Sequence, residues 1–500
     1  MTLLSSQRIS AQIAAGPVGQ AIPHRYLVVY RNSRVPADAE SRTRDAGLQL
    51  VRSYSRFGIA VLNSSAGADD DDALAQLRAQ PDVEYVVHDR ILSAYQLLLR
   101  PAPRTFGLGT VPTQSPASFQ PFDAYYTGTP QGWAVRQVGG YGAGVPGGPI
   151  HGPWDTTMGA GVRIAILDSG VDANHPDIAP NLAFNLSEID QSPSTGMPSA
   201  CDDGTPQDQQ GHGTWAASLA AGAIGPKTGL VIGVAPAATL LNIKVLERMP
   251  DPTSTASDVA TQCSSGQASG LLSWVIQGIE DAVAQNAGII SLSLGTLVDL
   301  ETGEGAGLQA TFDRVTYAAA QAGAVLIAAA GNDGFDLSNP RYIELPAQAR
   351  DVLAIVASTN PACAEDLTPG ATCVSGPITL PYYSNYGAPL NALAAPGGSY
   401  PDGAFDTGVS GWVRGACSAG VPNTVVGPPS DTSHSFGCFN LGHAQYVEAM
   451  GTSASAALAA GVAALLRAAN PTWTPAQIVT ALRASAVTTP SLAVPQLTAQ

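Results

Sequence analysis

VRIAILDSGVDANHPDI (Val162–Ile178) opens with an apolar, β-branched run and breaks off at Asp168, where Ser169 and Gly170 begin a turn. A strand that is apolar at nearly every position is buried on both faces, as in a parallel sheet covered by helices. GIISLSL (Gly288–Leu294), AVLIAAA (Ala324–Ala330) and VLAIVAS (Val352–Ser358) have the same character. Before Gly288, the positions Leu271, Leu272, Val275, Ile276, Ile279 and Val283 recur at helical spacing and make one core-facing stripe. A second helical region, about Leu308–Ala322, precedes Ala324. Strands alternating with helices from Gly161 to about Ala486 predict an α/β domain with a doubly wound, mostly parallel sheet.

The chain has 500 residues, too many for one average domain. Residues 24 to about 95 carry a smaller alternation. YLVVY (Tyr26–Tyr30) and FGIAVLN (Phe57–Asn63) read as strands, with a helix between them over Ala37–Leu50. Asp69–Asp72 put acidic charge at the start of a second helix, and PDVEYVVHD (Pro81–Asp89) returns as a strand. This is a small α+β unit in the order strand, helix, strand, helix, strand. Residues 1–23 are unassigned, residues 96–132 are a Pro/Gly-rich linker and processing region, and a main domain covers 133–490. Within it, residues 398–447 are Gly/Pro/Ser-rich and read as a long loop insertion.

The net charge of −16 excludes a nucleic-acid binder, which needs clustered Lys and Arg. No stretch of about 18 apolar residues is evident, Val325–Ala330 being the best and too short, so no membrane span is expected. Met1–Pro23 lacks the continuous apolar segment of a signal peptide. The six cysteines, at 201, 263, 363, 373, 417 and 438, are even in number and include two close pairs; disulfides are expected, free buried thiols being the alternative. His434, Cys438 and His443 fit no usual zinc spacing.

Open parallel sheets place ligands beyond the carboxyl ends of their strands, which is where Asp168 lies. His212 stands in GHGTWAASLAAG, and Ser453 in EAMGTSASAALAAGVAALL, a glycine turn opening into a long apolar helix. Singly, these read as a turn aspartate, a histidine in a glycine turn and a helix N-cap. Together they supply what nucleophilic hydrolysis needs: a hydroxyl, a base titrating near neutrality, and a carboxylate that fixes the base's tautomer. The reaction also creates an oxyanion, which requires fixed donors. The Ser453 N–H at its helix start is one; Asn332 in AAAGND, otherwise a turn residue, is the other.

DSGVDANHPDI, GHGT, SLSLG, AAGN and GTS, in this order and spacing, make the chain resemble the subtilisin family of serine peptidases over about Trp133–Ala486. The resemblance implies a subtilisin-like fold and an endopeptidase of broad specificity acting on protein or peptide substrates. It implies Asp168, His212 and Ser453 as the triad and Asn332 as the oxyanion asparagine. It also implies Ser293, Leu294 and Gly295 as the strand edge that pairs with substrate backbone, and large apolar residues before the scissile bond. Residues 24–95 resemble the family's inhibitory propeptide, implying a secreted zymogen with its own propeptide as intramolecular inhibitor, and a monomer. Catalysis needs no cofactor; structural calcium is implied by the family alone. The acidic loop Asp202, Asp203, Asp208 reads as solvated, and no ligands are nominated in it. After the serine the family's usual Met-Ala-Ala-Pro-His is replaced by Ala454, Ser455, Ala456, Ala457 and Leu458, which predicts a more regular helix. Trp215 replaces a frequent histidine and is expected to affect helix packing. A subtilisin-like binding protein without turnover is the main rival, and the presence of all four site residues argues against it. An α/β-hydrolase esterase is disfavoured because no G-x-S-x-G elbow surrounds Ser453.

Overall fold

The computed structural model describes residues 19–64, 70–95, 133–140, 143–144, 150–190, 198–224, 231–251, 254–263, 266–359, 378–399, 412–422, 425–426, 438–440, 444–490 and 492–499. At its centre is a seven-stranded sheet of Leu393–Pro396, Val352–Ser358, Val325–Ala329, Ile289–Leu292, Arg163–Asp168, Thr239–Lys244 and Leu182–Ser187, in that spatial order. Every pairing within it is parallel. Arg163–Asp168 comes first in the chain yet lies inside the sheet, between Ile289–Leu292 and Thr239–Lys244. The winding therefore reverses beside this strand, and a crevice opens beyond its carboxyl end.

Both faces of the sheet are covered, as the continuous apolar runs require. One face packs on the helices His212–Ala221 and Thr452–Ala469, the other on Leu272–Ala284 and Gly305–Gln321. Helix Thr452–Ala469 runs unbroken, in keeping with Ala457 where a proline was absent. It is also apolar and long enough to cross a membrane, more so than Val325–Ala330, yet it is mostly buried within the protein as the core helix of this domain. Residues 492–499 close the same core, with Leu497 buried and its N–H donating to Ala394 O.

The N-terminal unit contains an antiparallel sheet of Ala21–Tyr30, Gln49–Tyr54, Ile59–Asn63 and Val83–Ala94, with helices Ala39–Asp45 and Asp71–Arg78 on one face. The helix read over Ala37–Leu50 stops early. Gly47, at φ +78°, ends it, with the Leu48 N–H reaching back to Thr43 O, and Gln49–Tyr54 then pairs as a strand with Ile59–Asn63. Alternation along the first strand divides the unit's two cores. Tyr26, Val28 and Tyr30 face its own helices, while Leu27 and Val29 join the core shared with Leu272–Ala284 and Gly305–Gln321.

The expected loop insertion at 398–447 is corrected in its described parts. Val413–Ala416, Val425–Val426 and Phe439–Asn440 form a small sheet with Gln445–Ala449. Its order rests on the buried cross-strand pair Arg414–Glu448 and on the disulfide Cys417–Cys438. It backs the helix His212–Ala221, Trp215 Nε1 donating to Val413 O at 3.1 Å. A second disulfide joins Cys201 to Cys263. Cys363, Cys373, His434, His443 and all of 96–132 lie outside the described residues.

Candidate active site

Asp168 is the last residue of its strand and is fully buried. Its Oδ1 accepts from His212 Nδ1 at 2.7 Å and from the Ser169 N–H at 2.7 Å. His212, also fully buried, opens its helix. Gly213 permits this approach, because a Cβ there would lie 2.1 Å from Gly170 O and 3.1 Å from Asp168 Cβ. The Nδ1–H to carboxylate bond leaves Nε2 as the acceptor nitrogen, and Nε2 has no hydrogen-bond partner among the described residues. Trp215 stacks edge-on to the imidazole with ring centroids 5.8 Å apart. Beneath the histidine turn sits Asp208, which is buried rather than solvated as its sequence suggested. It accepts from Ser169 Oγ, from the Gln210 and Gly211 N–H groups, and from both the N–H and Oγ1 of Thr214. Burial raises its carboxyl above the usual range against the pull of these donors.

Ser453 stands in the first turn of Thr452–Ala469, and its Oγ donates to the carbonyls of Tyr95 at 3.0 Å and Ser293 at 3.2 Å. Asn332 Nδ2 donates to the same Tyr95 oxygen at 2.7 Å. Thr452 fixes that amide, its N–H and Oγ1 both donating to Asn332 Oδ1 at 3.0 and 2.8 Å. The structure thus brings together Asp168 with His212, and Ser453 with Asn332. Ser453 Oγ is turned to the two carbonyls instead of to Nε2. Among the described residues no hydrogen bond links the Ser453 N–H to the Tyr95 oxygen, where the serine hydroxyl is the second donor.

Tyr95 directly follows the strand Val83–Ala94, which lies between two antiparallel edges. Ala94 and Ser93 pair with Leu294 and Gly295, and the Tyr95 N–H donates to Ser293 O at 3.3 Å. On the other side Ser93, Leu92 and Ile91 pair with Ser269, Gly270 and Leu271. Sequence reasoning named the first edge and missed the second. The helical periodicity takes in Leu271, whereas that residue ends the strand Ala268–Leu271. The side chain of Tyr95 points to Glu344, a fully buried residue that sequence reasoning also missed.

Asp202 holds Lys244 Nζ at 2.7 Å, Asp203 accepts from Thr205, and Asp208 is engaged as above. With these carboxylates turned to protein donors, the loop does not fit a calcium ion. Among the described residues no group of three metal-ligating side chains is present.

A buried imidazole–carboxylate pair at a strand end, and a serine at a helix start beside an amide donor, are the groups a serine-type peptidase requires. The subtilase family model matches residues 159–498. Subtilisin NAT from Bacillus subtilis subsp. natto is 27% identical over 490 residues, covering 97% of this chain and 91% of that protein. Thermitase from Thermoactinomyces vulgaris is 36% identical over 207 residues, which is 41% of this chain and 58% of thermitase. Among solved structures, the epidermin leader peptide processing serine protease from Staphylococcus aureus aligns with a TM-score of 0.62 at 16% identity. It covers 95% of this chain and 96% of that one, a likeness of fold alone. The chain belongs to the subtilase family, and its activity is that of a serine endopeptidase working by the family's Asp-His-Ser mechanism.

Proposed function

We propose that the chain is a secreted, monomeric endopeptidase made as a zymogen, with Ser453 as nucleophile, His212 as general base, Asp168 as its orienting carboxylate and Asn332 as oxyanion donor. One observation carries the reading: the Tyr95 carbonyl oxygen lies within hydrogen-bond distance of both Ser453 Oγ and Asn332 Nδ2, at the end of a strand held on both edges. Residues 24–95 then act as the chain's own inhibitor, presented as a substrate.

Ser453 Oγ turns from the two carbonyls to Nε2, gives up its proton there, and bonds to the carbonyl carbon of the residue before the scissile bond. The carbonyl oxygen becomes an oxyanion held by Asn332 Nδ2. His212 next passes its proton to the leaving nitrogen, and the C–N bond breaks to leave an acyl-enzyme. Water follows the same path to release the acid. No step calls for a cofactor. Ser293, Leu294 and Gly295 offer backbone groups to any extended peptide, which suits broad specificity. Asn332→Ala is expected to lower kcat about 10²–10³-fold with KM little changed, read on a chromogenic peptide. An unchanged kcat would remove Asn332 from the oxyanion site.

The N-terminal unit is further held by acidic groups at helix starts. Asp89 accepts from the Ser273 N–H at 3.0 Å and from Ser273 Oγ at 2.6 Å, and pairs with Arg25 at 2.8 Å. Glu304, at the start of Gly305–Gln321, binds His88 and Arg90. Burial pushes the Glu304 carboxyl up, but those hydrogen bonds outweigh it and hold it at about 2. The two disulfides among the described residues suit an oxidising compartment and so support export. Few large apolar side chains among the described residues are exposed, which supports a monomer.

The test is intact-mass spectrometry of purified full-length chain at early times of incubation. The expected first N-terminal fragment ends at Tyr95. Early fragments ending only elsewhere would dissolve the zymogen reading.

A further inference from the structure

We infer that Glu344 makes the specificity pocket select tyrosine, by its hydroxyl, as the residue before the scissile bond. The inference rests on the reading above, in which Tyr95 occupies that position. Glu344 sits on the strand Tyr342–Leu345, which pairs with Leu294–Asp299, the strand whose first residues carry the substrate edge. The Tyr95 hydroxyl donates to Glu344 Oε1, and Asn385 Nδ2 donates to Oε2 at 3.3 Å. The ring gains entry because residue 295 is glycine: a Cβ there would lie 2.3 Å from the Tyr95 hydroxyl and 3.0 Å from its ring. With Tyr95 in place Glu344 is 0% exposed, so the tyrosine and the carboxyl together close the pocket at the depth of a phenol oxygen.

The identity of the group recognised follows from that closure. No cation pairs with Glu344 among the described residues, and burial drives its carboxyl well above the ordinary range, toward the neutral form. A carboxyl pushed toward its neutral form suits a neutral hydroxyl over a cation. Phenylalanine would fill the same space while leaving Oε1 without a partner, and pockets built to hydrogen-bond a substrate hydroxyl reject the analogue lacking it. The large apolar preference implied by the family is in this way narrowed to one aromatic side chain.

The test uses the full chain, allowed to mature, and peptides identical except for Tyr, Phe, Leu or Lys before the scissile bond. The expected kcat/KM for Tyr exceeds that for Phe by about 10-fold or more. Glu344→Ala is expected to erase that ratio, and Glu344→Gln, which keeps a hydrogen-bonding amide in place, to retain Tyr ahead of Phe. Labelling of Ser453 by a fluorophosphonate counts folded sites in each variant. Equal rates on Tyr and Phe in the wild type, Lys as the fastest substrate, or a ratio that survives Glu344→Ala in labelled enzyme would each overturn the assignment. The wild-type ratio decides even where Glu344→Ala fails to fold. A wild type that takes no label and cleaves no peptide instead overturns the peptidase reading beneath it.

Discussion

Ser453→Ala is expected to lower kcat on casein or a peptide substrate by about 10⁶-fold, and to leave the N-terminal unit attached. In the proposed mechanism the hydroxyl is the group that bonds to the carbonyl carbon, and nothing else near Tyr95 would replace it. Asn332 Nδ2 would still hold the carbonyl oxygen, so residual catalysis from the oxyanion donor alone should remain. The docking of residues 24–95 does not depend on the serine hydroxyl. It rests on the paired strand edges and on Asp89 and Glu304 at their helix starts. The variant should therefore accumulate as an intact chain with Tyr95 still in place, readable by intact mass. Purified Ser453→Ala that still sheds a fragment ending at Tyr95, or still digests casein, would contradict its role as nucleophile.

In the proposed zymogen, the arrangement would also account for a peptidase holding its own strand without destroying it at once. Ser453 Oγ is engaged with the Tyr95 and Ser293 oxygens, and its proton is directed away from Nε2. In the proposed mechanism Oγ must leave these carbonyls for Nε2 before it attacks.

What was legible in the sequence follows from locality. Asp168, His212, Ser453 and Asn332 each sit where a strand ends or a helix begins, and apolar runs and glycine turns mark such places directly. The sheet was legible for the same reason, since strands buried on both faces leave no polar alternation. Glu344 and Tyr95 left no such mark. They lie 249 residues apart and acquire meaning only when the Val83–Ala94 strand enters between two edges. Asp208 misled because an acidic, Gln-rich stretch looks solvated, and only tertiary folding turns the Thr214 hydroxyl and neighbouring N–H groups onto it. The strand Gln49–Tyr54 was overrun by a helical reading that passed through Gly47. The small sheet of Val413–Ala449 was hidden by strands of two to five residues, too short for periodicity to register.

Asp168→Ala is expected to lower kcat by about 10⁴-fold while leaving Ser453 in place. Two contributions are lost together. Without the Oδ1 acceptor at 2.7 Å, His212 is free to carry its proton on Nε2, and in that tautomer it cannot accept the serine proton. The imidazolium that forms also loses its counter-charge, at a site where Asp168 and His212 are both fully buried and water cannot substitute. Asp168→Asn separates the two. The Ser169 N–H, 2.7 Å from Oδ1, favours a carbonyl oxygen over an amide nitrogen there, and that oxygen can go on accepting from His212 Nδ1. The productive tautomer is then kept and only the charge is removed. Asp168→Asn should accordingly fall between wild type and Asp168→Ala in kcat, with KM little altered in either. Equal losses in the two variants would assign the effect to charge alone, and an Asp168→Ala enzyme within about 10-fold of wild type would remove Asp168 from the catalytic group.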